Sequence, residues 1–192
     1  MAERTNADFW RTVQRQLAAD LDEGFRHVLT EDWLRAVTMR ALAARGVRPA
    51  HVRIEEPSPG GGRTDLVVRG EGTETEIEFK FPREPRATNA ADTMAVGALV
   101  NDLLRLAESG RGRRLAVQLL EERFVGHLSR RDDVQLLARE GQELILEPHQ
   151  LARLPRSASV MFAGRTLERP VRATCLFAQR VGDLTLQVLE VG

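Results

Sequence analysis

Two short runs of alternating polar and apolar residues, separated by a Glu-Gly pair, constrain the fold most strongly. The runs are "TDLVVRG" at 64–70 and "TETEIEFKF" at 73–81. Such alternation is typical of strands that bury one face, and a two-residue connection is typical of a hairpin. The sequence therefore predicts an antiparallel hairpin whose apolar side, which includes Ile77, Phe79 and Phe81, has to be covered by the rest of the chain.

The register of this hairpin decides which charged side chains meet. If Glu71 and Gly72 form the turn, Asp65 is placed directly opposite Glu78, and alternation puts Lys80 on the same face. Facing carboxylates repel each other, and a divalent cation between them would relieve the repulsion because it prefers oxygen ligands. The simpler interpretation is an amphipathic strand whose charged face is solvated.

Lys80 is the only lysine of the chain, since the other 27 basic residues are arginines. An ammonium group is a compact, mobile charge whose pKa responds to its surroundings, whereas a guanidinium stays planar and protonated. We interpret the lysine as a requirement of the chemistry at this position. The alternative is that a single lysine happens to fall here.

The flanking segments predict an α/β fold with a mixed central sheet flanked by helices. A first helix is expected over 7–21 and a second after Thr30, a favourable N-cap. The first helix, which contains Phe9 and Trp10, packs either on its own sheet or against a second copy in a homodimer. The remaining expectations are a long helix over 89–108, a weaker helical segment over 121–140, and strands at 51–56, 113–121, "QELILE", 158–162, 171–178 and 184–191.

Composition limits the classes of function. The formal net charge is zero, so no global basic field attracts nucleic acid, and any such binding has to use a local patch. No apolar run approaches the roughly 20 residues of a membrane span, the first residues are polar, and the lone Cys175 fits a buried thiol. We therefore expect a cytoplasmic protein with no membrane partner. No zinc motif, phosphate-binding loop or serine-hydrolase elbow is present in the sequence.

The pair "TD" at 64–65, followed after twelve residues by "EFK" at 78–80, resembles the signature of the PD-(D/E)XK nuclease superfamily. The motif's proline is replaced here by Thr64, while the order of a helix, a hairpin, a helix and a strand over about 25–121 is similar to that of the family. The length suits a single domain over 1–192, although two small domains are possible. The resemblance implies a restriction-endonuclease-like core over about 25–150, preceded by the helix 7–21, while the C-terminal β addition over about 158–192 lies outside the resemblance.

The resemblance also implies a site. Asp65 and Glu78 would ligate Mg²⁺ or Mn²⁺, and Lys80 would position or activate the attacking water. A further catalytic acid often comes from the preceding helix, which makes Glu31 the candidate and Asp32 its neighbouring alternative. Glu76 is either an additional acid of the site or, as we favour, a solvated carboxylate.

Polar side chains outside the motif are the remaining candidates. Arg83 and Arg86 follow the motif strand closely and are expected to contact a nucleic-acid backbone, or else to be solvated. Further arginine candidates are Arg111, Arg113 and Arg114 before the next strand, and Arg130 and Arg131, for which a solvated surface is favoured. Asn101 and Asp102, on the helix after the site, either face it or, as we favour, occupy exposed helix positions.

The resemblance thus implies a metal-dependent nuclease that hydrolyses phosphodiester bonds, with DNA a better expected substrate than RNA. The alternative is a catalytically inactive protein of the same fold that acts as a scaffold, a regulator or a partner-binding module. A third interpretation is an unrelated α/β protein with an accidental Glu-x-Lys strand.

Overall fold

The computed structural model describes residues 6–58, 62–70, 72–82, 89–110, 112–165 and 167–192. The helices are α1 Ala7–Asp22, α2 Glu31–Ala44, α3 Asn89–Ser109, α4 Glu122–Ser129, α5 Pro148–Leu151 and α6 Arg156–Ser159. The strands are β1 Val52–Pro57, β2 Arg63–Gly70, β3 Thr73–Lys80, β4 Arg113–Glu121, β5 Glu143–Leu146, β6 Val171–Val181 and β7 Leu184–Val191.

The strands form one mixed sheet in the order β1-β2-β3-β4-β7-β6-β5. Only β3 and β4 run parallel within this sheet of described strands, and α3 is the crossover that connects them. The predicted α/β class with a mixed sheet and flanking helices is confirmed. The last two strands continue the sheet, because β7 pairs with β4 over residues 184–190. None of the described helices is both long and apolar enough to cross a membrane.

Helices cover both faces of the sheet and enclose two hydrophobic layers. The first layer lies under α1 and α2, and it contains Phe9 and Trp10, both fully buried. Helix α1 contacts β6 and α2, so these aromatic rings pack on their own sheet. A second copy of the chain is therefore not needed to cover the first helix. The second layer lies under α3 and α4 and contains Leu103 and Phe124.

Local capping explains where the first two helices begin. The Asn6 side chain accepts a hydrogen bond from the Phe9 amide at 3.1 Å, and Thr30 Oγ1 accepts one from the Trp33 amide at 3.2 Å. The N-cap predicted at Thr30 is confirmed. The Trp33 indole then donates to Asp20 Oδ2 at 2.7 Å, which joins α2 to α1.

Two predicted elements differ from the structure. Residues 158–162 are helical rather than a strand, since α6 continues into a 3₁₀ turn over Val160–Phe162. A short apolar run contains too few residues for its periodicity to distinguish a strand from a helix. The helix predicted over 121–140 ends at Ser129. Beyond it the backbone is held by the buried Gln187, which donates to Leu136 O at 2.8 Å and accepts from the Ala138 amide at 2.9 Å.

Candidate functional site

The predicted hairpin register is confirmed. Gly70 pairs with Thr73 and Val67 with Glu76, so continuation of the ladder sets Asp65 opposite Glu78. Asp65 reaches across the strand pair, where its Oδ2 accepts a hydrogen bond from the Phe79 amide at 2.7 Å. The two carboxyl groups therefore belong to one face of the β2–β3 ribbon.

This charged face of β3 is buried, which corrects the simpler interpretation of a solvated strand. Ile77 and Phe79 lie in the hydrophobic layer under α1 and α2, whereas Glu76 and Glu78 point to the opposite face, which α3 covers. Glu76 is fully buried and Glu78 is 4% exposed. Both carboxylate oxygens of Glu76 are without a hydrogen-bond partner in the described part of the chain. The expectation that Glu76 is solvated is wrong.

Helix α3 brings two oppositely charged side chains onto β3. Arg105 Nη2 lies 3.1 Å from Glu78 Oε1, and Asp102 Oδ2 lies 3.6 Å from Lys80 Nζ. Glu78 and Lys80 of β3 thus each meet a side chain of opposite charge on α3. Asp102 is only 6% exposed, so its expected exposed position is wrong. Its neighbour Asn101 is half-buried and accepts from Arg165 at 3.0 Å.

Glu31 approaches the same lysine from the first turn of α2. Its Oε1 accepts a hydrogen bond from the Phe81 amide at 3.1 Å and lies 3.3 Å from Lys80 Nζ. The alternative acid Asp32 is exposed and pairs with Arg35. Of the two acids considered on this helix, Glu31 is the one that reaches the site.

Burial dominates the electrostatics of the site. It raises the pKa of Glu78 to about 8, with a further contribution from the nearby Asp65, and the attraction of Arg105 only partly offsets both. Burial likewise raises the pKa of Asp102 to about 6. For Lys80, burial acts to lower the pKa, but Asp102 and Glu31 outweigh it and the pKa is raised, so the ammonium stays charged at neutral pH.

Two of these carboxyl groups, those of Asp65 and Glu78, have the ligand chemistry that a divalent metal requires. The described residues contain no group of three or more His, Cys, Asp or Glu side chains arranged to hold a metal ion. Mg²⁺, however, keeps several waters and is commonly held by one or two carboxylates together with a substrate phosphate. Asp65 Oδ2 and Glu78 Oε1 are engaged by their neighbours, which leaves each group a second oxygen for such an ion.

The other arginines that were candidates for contacting nucleic acid agree with the expectations only in part. Arg83, Arg86 and Arg111 lie outside the described residues. Arg113 pairs with Glu190 at 2.7 Å and Arg114 donates to backbone carbonyls of α3, so both serve the fold. Arg130 is exposed as expected, whereas Arg131 is largely buried and paired with Asp133, which corrects its solvated assignment.

Cys175 is a buried thiol, as expected, and burial raises its pKa to about 11. A thiol with so high a pKa carries almost no thiolate at neutral pH, so it is a poor nucleophile. Cys175 therefore belongs to the hydrophobic layer rather than to a site.

Comparisons of the chain with models of protein families, with curated proteins and with solved structures gave no match. The function is consequently inferred from the geometry of Asp65, Glu78, Lys80, Glu31 and the two α3 side chains.

Proposed function

We propose that this chain is a metal-dependent nuclease that hydrolyses phosphodiester bonds in nucleic acid, with Mg²⁺ or Mn²⁺ as cofactor. The observation that carries the proposal is the grouping of Asp65 and Glu78 in register on adjacent strands, with Lys80 one pleat further along the same face. The proposed fold is restriction-endonuclease-like. Its support is the order α2-β1-β2-β3-α3-β4, in which β3 and β4 are parallel neighbours.

Each side chain has a separate role in the proposed reaction. Asp65 and Glu78 would hold the metal, which supplies Lewis-acid stabilisation of the phosphoryl oxygens. Lys80 provides a fixed positive charge where negative charge develops on the phosphate, and it can orient a water for attack. Glu31 and Asp102 keep that ammonium charged and aimed, because each has a carboxyl oxygen within 4 Å of Nζ.

The proposal is tested by incubating the protein with linear, supercoiled and single-stranded DNA, and with RNA, in Mg²⁺, Mn²⁺ or EDTA. Cutting is expected with metal and not with EDTA, and DNA is expected to be cut faster than RNA. Asp65→Asn and Lys80→Ala should each reduce the rate by at least about a hundredfold, as is usual when a catalytic group is removed.

Glu143→Gln serves as the matched control, because Glu143 is an exposed acid on β5 at the far edge of the sheet. This variant should cut as fast as the parent. Cutting that survives both Asp65→Asn and Lys80→Ala, or that persists in EDTA, would refute the proposed site.

A second function, a catalytically inactive scaffold or partner-binding protein of this fold, is favoured by one contact. Glu78, a required ligand, is already paired with Arg105 and nearly excluded from solvent. A protein of this kind would cut none of the substrates and would bind no Mn²⁺ in calorimetry.

A further inference from the structure

Arg105 is the one basic side chain that contacts Glu78 directly among the described residues, and no sequence motif singles it out. It extends from α3 toward the start of β2, where Nη2 meets Glu78 Oε1 at 3.1 Å and also donates to the carbonyl oxygen of Arg63. Its side chain is 16% exposed. The guanidinium thus lies between α3 and β3, the strand that carries Glu78.

The position of Arg105 makes it a counterion for the carboxyl group that a metal would need. Four carboxyl groups, those of Glu31, Asp65, Glu78 and Asp102, surround the cations Lys80 and Arg105. Metal binding requires Glu78 to lose its proton, and with all four carboxyl groups ionised the cluster retains an excess of negative charge that a divalent ion can neutralise. A divalent ion on the second oxygen of Glu78 would neutralise the charge that attracts the guanidinium, so the two cations oppose each other at this group although they contact different oxygens.

The guanidinium of Arg105 also has a donor that the fold does not use. Its Nε is buried and has no hydrogen-bond partner in the described part of the chain. A buried N–H without an acceptor costs free energy, and such groups are rare unless a ligand completes them. Arginine donors form a planar fork that matches the oxygens of a phosphate group. A phosphate group of a nucleic-acid backbone is one acceptor that would complete this fork.

We propose that Arg105 is an exchangeable counterion: it pairs with Glu78 in the metal-free protein and transfers to a backbone phosphate when a divalent ion takes Glu78. The inference rests on the proposed function for the identity of the phosphate, and it extends that function by adding a substrate-contacting residue from α3. One side chain would thereby couple metal loading to binding of the nucleic acid.

The test measures two affinities that the exchange moves in opposite directions. Mn²⁺ binding is followed by titration calorimetry without nucleic acid, and binding of a fluorescein-labelled DNA duplex is followed by anisotropy in Ca²⁺. Arg105→Gln should bind Mn²⁺ about tenfold more tightly and DNA about tenfold more weakly than the parent, within the usual range of coupling between sites. Arg105→Lys keeps the charge but loses the fork, so its Mn²⁺ affinity should stay near that of the parent while DNA binding weakens.

Two further variants serve as controls. Arg123→Gln removes the partner of Asp92, a buried acid on α3 outside the site, and should change neither affinity. Arg35→Gln removes a positive charge near Asp65 without touching Glu78, since Arg35 donates to the Asp65 carbonyl at 3.4 Å. Its Mn²⁺ affinity should change less than that of Arg105→Gln.

The outcomes separate this inference from the proposed nuclease activity. A tighter Mn²⁺ affinity together with a weaker DNA affinity in Arg105→Gln supports the exchange even if the parent protein cuts nothing, because both quantities are measured by binding. An Mn²⁺ affinity that does not rise in Arg105→Gln, a rise of equal size in Arg35→Gln, or an unchanged DNA affinity would each overturn it. Cutting by the parent together with absent shifts would reject the exchange and leave the nuclease proposal standing.

Discussion

Lys80 and Asp102 lie on different elements, yet the ammonium nitrogen and the carboxyl Oδ2 are 3.6 Å apart in the interface between β3 and α3. The Asp102 side chain is 9% exposed and that of Lys80 is 24% exposed. Solvent screens such a pair much less than it screens an ion pair on the surface. The only lysine of the chain is therefore coupled to a buried acid on the crossover helix.

This coupling can be measured without any assay of activity. A double-mutant cycle of Lys80→Met and Asp102→Asn, followed by urea unfolding near pH 8, should give a coupling free energy of about 1–3 kcal/mol. At this pH Asp102, with its pKa raised to about 6, is ionised. The control cycle uses Arg180 and Glu122, a pair at 2.9 Å whose side chains are both about two-thirds exposed. Equal coupling in the two cycles would contradict the argument from burial.

The raised pKa of Glu78 predicts how stability depends on pH. The folded chain holds the proton up to about pH 8, whereas the unfolded chain releases it near 4.5, so the folded state binds more protons between these values. Its contribution to the free energy of unfolding therefore falls as pH rises through this window. In EDTA, Glu78→Gln should remove this slope and become more stable than the parent by a few kcal/mol, in order of magnitude, above about pH 8.

The control for the pH series is Glu143→Gln, which removes an exposed acid on β5 that pairs with Arg172 at 3.0 Å and shows how the loss of one surface carboxyl group changes the unfolding curve. The comparison is made as the difference between variant and parent, because other carboxyl groups also titrate at low pH. A difference for Glu78→Gln that stays constant from about pH 4 to 9 would show that Glu78 titrates normally in the folded chain.

The hairpin was predictable because its physical determinants are local. Strict alternation fixes the face of every side chain, and Gly72, which adopts φ of 69°, is suited to the turn that sets the register. Thr30 was equally predictable, since an N-cap acts within one turn. These local rules were sufficient to align Asp65 with Glu78.

The surroundings of the β3 face that carries Glu78 depend on contacts between elements distant in sequence. A parallel pair of strands requires a crossover, and α3 covers the β3 face as it returns the chain to β4. Asp102 and Arg105 stand on a helix that is apolar on most sides, so its periodicity did not indicate which side meets the strand. The predicted order of a strand, the helix 89–108 and another strand was the available signal, because strands joined by a helix are commonly parallel neighbours that are buried on both faces.

Backbone strain at Glu55 gives a third prediction. Glu55 has φ of 50°, in the left-handed region, and the β1–β2 ladder skips it at the position opposite Asp65. A side chain with a Cβ costs about 1–2 kcal/mol in this conformation, whereas glycine does not. Glu55→Gly should therefore be more stable than Glu55→Ala by about 1 kcal/mol in urea unfolding, by the same rule.

The same two substitutions at the next residue, Glu56, should show the opposite order of stability. Glu56 has no positive φ and pairs with Thr64 in the ladder. Glycine in a regular strand is destabilising relative to alanine, so Glu56→Gly should be less stable than Glu56→Ala. The same order at both positions would show that Glu55 is not strained.

The packing of α3 against α6 leads to the last prediction. A Cβ added at Gly97 would lie 2.1 Å from the carbonyl oxygen of Ala158, which is backbone and cannot rotate away. Gly97→Ala should therefore push α6 from α3 and lower the free energy of unfolding by about 1–3 kcal/mol. Gly126 in α4 has only the end of the Arg130 side chain nearby, at 3.5 Å. Gly126→Ala should instead raise the free energy of unfolding by up to about 1 kcal/mol, because alanine favours helix. The two substitutions are chemically identical, so equal effects in urea unfolding would contradict the close approach of the two helices.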